Sequence, residues 1–121
     1  MSKSVLIIDD SLYMRTLINS ALSAEGYNVV GMAADGETAI EMALELEPDV
    51  ITLDNVLPDM LGLDILKVLK DEGIKSIVVM ISAVGQQSVV DEGMSLGASD
   101  YIVKPFTPDG LVEKINKACN K

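Results

Sequence analysis

Val50-Ile51-Thr52-Leu53-Asp54 is an almost unbroken run of β-branched and aliphatic residues that ends on a carboxylate. A strand buried on both faces has this composition, whereas a strand with one wet face alternates. Working outward, comparable runs precede it at Val5-Leu6-Ile7-Ile8 and Val29-Val30, and follow it at Ile77-Val78-Val79-Met80-Ile81 and Tyr101-Ile102-Val103. Helical periods separate them: Met14, Leu17, Ile18, Ala21 and Leu22; Ala39, Ile40, Ala43 and Leu44; Leu63, Leu66 and Leu69; a stretch from about Ser88 to Leu96; and Leu111, Val112, Ile115 and Ala118. Gly26, Pro48 and Gly73 stand where the first three helices should stop, and Thr107-Pro108-Asp109 reads as an N-cap, a first-turn proline and a first-turn acid. Five strand-then-helix units in series predict an α/β fold, a parallel sheet with right-handed crossovers, filling residues 1–121 as a single domain.

Composition narrows the function. The 121 residues carry 19 acids, nine bases and no histidine, a formal charge of -10, which opposes general attraction to nucleic acid or to an anionic membrane. Hydrophobic residues make up 49% of the chain, so disorder is excluded despite the charge. One cysteine, Cys119, excludes an internal disulfide and, without histidine, a zinc site; the expected compartment is the cytoplasm. The apolar runs are too short for a signal-peptide core or a membrane span.

The polar interruptions fall at one end of the pattern. Asp9 and Asp10 close the first strand, Asp54 the third, Ser82 the fourth and Lys104 the fifth. Parallel strands put all their carboxyl ends on one edge, where ligand sites of open α/β sheets form. Three carboxylates gathered there repel and would hold protons unless a cation joins them. All-oxygen ligation without histidine suits magnesium. Lys104 adds a fixed positive charge and Ser82 a hydroxyl, a set fitted to phosphoryl transfer with Asp54, on the central strand, as nucleophile. Taken singly each residue has a plainer reading: Asp10 as a helix cap, Ser82 as a turn residue, Lys104 as a solvated edge lysine, Cys119 as a small hydrophobe. Their joint placement is the argument.

Val5-Leu6-Ile7-Ile8-Asp9-Asp10-Ser11, Leu53 to Gly62 (LDNVLPDMLG), Ile81-Ser82-Ala83 and Val103-Lys104-Pro105-Phe106 together resemble the four signature segments of response-regulator receiver domains, with order and spacing intact. Leu12-Tyr13-Met14-Arg15 and Gly85-Gln86-Gln87 are more similar to stand-alone chemotaxis receivers than to receivers joined to DNA-binding domains. The resemblance implies a doubly wound, flavodoxin-like (βα)5 sheet in the order 2-1-3-4-5. It implies that Asp54 accepts a phosphoryl group from a CheA-like histidine kinase, that Asp9, Asp10, Asp54 and the backbone carbonyl of Val56 bind Mg2+, and that Lys104 pairs with the phosphoryl oxygens. Ser82 and Tyr101 would form the switch, small Ala83 would leave room for the phosphoryl group, and the Lys104–Pro105 peptide would be cis. Apolar Val56 and Val84, two residues after Asp54 and Ser82, occupy the positions that tune water access to the acyl phosphate. The implied protein is a monomer and a signalling switch whose only catalysis is its own phosphorylation and dephosphorylation. Its implied partner is a flagellar or archaellar motor switch or adaptor protein.

Three alternatives use the same pattern. A phosphorelay intermediate would pass phosphoryl from Asp54 to another histidine protein. An aspartyl phosphatase would need a general acid two residues after the nucleophile, where Val56 stands. A flavin protein of the same strand order fits poorly with four aromatic residues and an acidic rim.

Overall fold

The computed structural model describes residues 2–83 and 85–120, so Val84 and the water-access role read for it lie outside the described residues. The elements run β1 (Ser4–Ile8), α1 (Leu12–Ala24), β2 (Asn28–Ala33), α2 (Gly36–Leu46), β3 (Val50–Asp54), α3 (Gly62–Asp71), β4 (Ile77–Ala83), α4 (Gln87–Ser95), β5 (Asp100–Lys104) and α5 (Pro108–Cys119). All pairings of these strands are parallel, in the order β2-β1-β3-β4-β5. The winding direction reverses between β1 and β3, which is where such sheets open a crevice.

The continuous apolar runs have the predicted cause. Leu6, Ile8, Ile51, Leu53, Val78 and Met80 face one layer, with Ala39 and Ala43 of α2 and Leu63, Leu66 and Leu69 of α3. Val5, Ile7, Val50, Val79, Ile81 and Ile102 face the other, with Ile18 and Leu22 of α1 and Leu111, Ile115 and Ala118 of α5. Strand side chains alternate between faces, so a strand covered on both is apolar along nearly its whole length; in β3 the one polar residue before Asp54 is Thr52, also buried. Each fully buried Leu or Ile contributes about 1.5–3 kcal/mol. That is enough to hold α3, which has five buried residues although no side chain caps it. Helix α4 also lacks a side-chain cap bond and buries only Val90 and Gly93, making it the least anchored helix beside the crevice.

Helix ends follow the sequence with one exception. Thr107 Oγ1 accepts the Gly110 N–H at 3.0 Å, as its cap position requires. Gly26 and Gly73 take the left-handed backbone after α1 and α3. After α2 that conformation falls on Glu47, at φ 43°, just before Pro48. Strand β2 extends beyond Val29-Val30 to Ala33, and its register against β1 shifts between Val5 and Leu6.

Candidate functional site

The carboxyl edge gathers the predicted residues. Asp9 directly follows β1 and is fully buried; its Oδ1 accepts the Ser11 N–H at 2.9 Å, and Arg15 Nη1 donates to its backbone carbonyl at 2.8 Å. Asp54 ends β3 with 7% exposure. Asp10 is exposed beside them, and carboxylate oxygens of Asp9, Asp10 and Asp54 all lie within 4.8 Å of one another. Lys104, at the end of β5, places Nζ 3.3 Å from Asp9 Oδ2 and 3.4 Å from Asp54 Oδ1. The capping alternative for Asp10 is not realised, because Ser11 caps α1 by accepting the Met14 N–H.

Charge decides what this cluster can hold. Two carboxylates about 5 Å apart repel by about 3 kcal/mol at an effective dielectric of about 20. Burial first, then the Asp9 charge, pushes the Asp54 carboxyl above the usual carboxylate range; Lys104 pulls it back and Asp10 adds to the rise. Three ionised carboxylates and one ammonium leave two uncompensated negative charges. A divalent cation with oxygen preference matches that balance, so the cluster fits magnesium by charge and by donor type.

Ser82 lies on β4, next to β3, and is 1% exposed. Its Oγ and Thr52 Oγ1 are the buried side-chain oxygens without a hydrogen-bond partner among the described residues. An unpartnered buried hydroxyl costs about 1–3 kcal/mol, and at the carboxyl end of β4 the Ser82 hydroxyl has its hydrogen-bonding capacity unused. Val56 pairs with Leu61 through the Gly62 N–H to Asn55 carbonyl bond (2.7 Å) and the Leu57 N–H to Met60 carbonyl bond (3.1 Å). That pattern turns Val56's own carbonyl away from Leu61, and its side chain is exposed. A phosphatase-type acid is therefore absent from position 56. Tyr101 stands apart from the carboxylates, on edge strand β5, half-buried against the α2–α4 layer, with Lys114 Nζ 5.2 Å from its ring centre. The Lys104–Pro105 peptide is cis.

Several neighbours escape sequence reasoning. Gln86 Oε1 accepts from Asn55 Nδ2 at 3.1 Å and from the Ala83 N–H at 3.0 Å, tying the loops after β3 and β4 together on one side of the crevice. Asp59 reaches the N-terminus of α2. Their signal was a polar residue inside or just after a signature segment, with no indication of its spatial partner.

Residues 5–116 match the response regulator receiver domain model. The chain is 41% identical to the chemotaxis protein CheY of Thermotoga maritima over 97% of its own length and 98% of that protein. It is also 41% identical to CheY of Bacillus subtilis, covering 99% of this chain and 100% of that one. A structure from Borrelia burgdorferi, described as a CheX-CheY-BeF3-Mg+2 complex, superposes with a TM-score of 0.91 at 31% identity, covering 95% of this chain and 87% of that chain. A match along nearly the whole chain, with the acidic edge cluster in place, means that this protein belongs to the response regulator receiver family.

Proposed function

We propose that the chain is a chemotaxis response regulator in which Asp54 accepts a phosphoryl group from a histidine kinase and thereby switches partner binding. The observation that carries this reading is the Asp9, Asp10 and Asp54 cluster bridged by Lys104 beside the unpartnered Ser82 hydroxyl. Magnesium, held by Asp9, Asp10, Asp54 and the Val56 carbonyl, would neutralise charge on the transferring phosphoryl group. An Asp54 carboxylate oxygen attacks phosphorus, an O–P bond forms, and the P–N bond to the donor histidine breaks. The leaving imidazole nitrogen regains the electron pair and takes a proton from solvent. Lys104 leaves its contact with Asp54 Oδ1 for a phosphoryl oxygen, and Asp9 keeps its ammonium close by. The chain acts only on itself, so it is a switch and not a turnover enzyme.

The product replaces the single negative charge of the Asp54 carboxylate with the roughly two of a phosphoryl group and adds strong acceptor oxygens. Ser82 then donates to a phosphoryl oxygen, drawing the end of β4 toward the crevice, and Tyr101 on the adjoining strand turns into the space released. Helix α4, with few buried residues, is free to follow. The relatives named CheY and the CheX-CheY-BeF3-Mg+2 complex support a chemotaxis pathway with a motor-switch or adaptor partner. Magnesium titration by calorimetry tests the site: wild type should bind and Asp9→Ala, Asp10→Ala should bind far more weakly. Equal affinity would place the metal elsewhere. Beryllium fluoride with magnesium should then raise affinity for a partner captured from the source cells, and no rise would remove the switch role.

A further inference from the structure

The loop from Asn55 to Leu61 is clamped at both ends. At its base, a Cβ added to Gly62 would lie 2.6 Å from the Asp54 carbonyl and 3.0 Å from Asn55 Cα, so the chain closes directly against the phosphoacceptor's backbone. At its tip, Asp59 Oδ1 accepts the Gly36 N–H at 2.7 Å and Oδ2 accepts the Glu37 N–H at 3.1 Å. Met60 packs over Gly36, where any side chain would collide with it. Helix α2 already has its own cap, since Asp35 Oδ1 accepts the Thr38 N–H at 2.8 Å. Asp59 therefore takes two further helix-end donors across 22 and 23 residues of sequence, and the gain goes to the loop as well as to the helix. Those donors, Gly36 first, hold the Asp59 carboxyl below its usual range.

We propose that Asp59 is a positioning residue for cation binding: by docking the loop tip on α2 it fixes the bridge between Val56 and Leu61, and with it the direction of the Val56 carbonyl. The proposal rests on the magnesium reading above. The Leu57 N–H to Met60 carbonyl bond joins tip to base, so a tip released from α2 loosens the backbone that presents Val56. Groups that orient a metal ligand through one hydrogen bond typically change affinity by about 10–100-fold, and a clamp one step further out should change it by about 3–10-fold.

Three variants separate this from simpler effects. Asp59→Ala removes both acceptors. Asp59→Asn removes the charge but keeps one carbonyl for the Gly36 N–H. Asp35→Ala removes a carboxylate from the same helix end without touching the loop. Calorimetric titration with magnesium chloride should show weakening of about 3–10-fold for Asp59→Ala, a smaller loss for Asp59→Asn, and near wild-type affinity for Asp35→Ala. Amide hydrogen exchange at Leu57 and Gly62, measured without metal, should accelerate in Asp59→Ala and not in Asp35→Ala. Wild-type affinity in Asp59→Ala, equal losses in its Asn and Ala forms, or equal losses in Asp35→Ala would each overturn the proposal. A wild type that binds no magnesium refutes the metal reading instead, and the exchange rates still decide whether Asp59 anchors the loop.

Discussion

In Asp54→Asn an amide of nearly the same shape replaces a carboxylate that the fold holds at a disadvantage. Asp9 and Asp10 oxygens lie within 4.8 Å of Asp54, so at an effective dielectric of about 20 buried Asp9 repels it by about 3.5 kcal/mol, and exposed Asp10 by roughly half that. Lys104, 3.4 Å away and 27% exposed, attracts it by up to about 5 kcal/mol on the same scale. The charge terms nearly cancel, and the cost of burying the carboxylate remains, several kcal/mol per ion, of which the neutral amide of the variant avoids a large part. The same balance lifts the Asp54 carboxyl above the usual range. A raised carboxyl favours the folded state while protonated, and that advantage is lost as pH rises through the folded value. Asp54→Asn should therefore melt roughly 3–10 °C above wild type at neutral pH in chelator, followed by circular dichroism. The gap should close below about pH 3.9, where both side chains are neutral, and magnesium should narrow it by stabilising the wild type. A variant no more stable than wild type without metal, or a gap that persists in acid, would refute this charge balance.

Ser82→Ala should keep or slightly raise stability, because it removes an unpartnered buried hydroxyl, yet lose much of the partner affinity gained with beryllium fluoride; an undiminished gain would exclude Ser82 from the switch. Thr52→Val tests the other such hydroxyl, and chemical denaturation should find it unchanged or stabilised by up to about 2 kcal/mol, whereas a clear loss would reveal a missing partner. Gly62→Ala should cost about 2 kcal/mol or more and impair magnesium binding by calorimetry, because the new methyl meets the Asp54 carbonyl; a neutral result would mean that the loop base is loose. Lys114→Met should change the activated partner affinity through the Tyr101 ring, and an unaltered affinity would show that the cation over the ring is incidental.

Sheet and crevice were legible because both follow from composition along the chain. A doubly covered strand is apolar along most of its length, so a charged residue at its carboxyl end marks the edge of the sheet, as Asp9, Asp54 and Lys104 do. Ser82 was legible for the same reason, although β4 continues one residue past it. The strand order came from family resemblance and not from periodicity. Contacts between elements were not legible: Asp59 sits in a sequence that reads as a simple turn, and its partners lie 22 and 23 residues away. Gln86 begins α4 without capping it, so no cap signal marked it, and its use as a tie between loops depends on where β3 and β4 end. Glu47 shows a local rule yielding to context. Pro48 ends α2, but the left-handed residue before it is a glutamate, at a cost of about 1–2 kcal/mol.

The central claim is that Asp54 is the magnesium-dependent phosphoacceptor. Its most direct test incubates the chain with acetyl phosphate and magnesium, then locates the modification by peptide mass spectrometry under conditions that preserve acyl phosphates. The expected result is one phosphoryl group on the peptide containing Asp54, absent with chelator and absent in Asp54→Asn. A phosphoryl group on another residue, or stoichiometric labelling of Asp54→Asn or of chelated wild type, would contradict it.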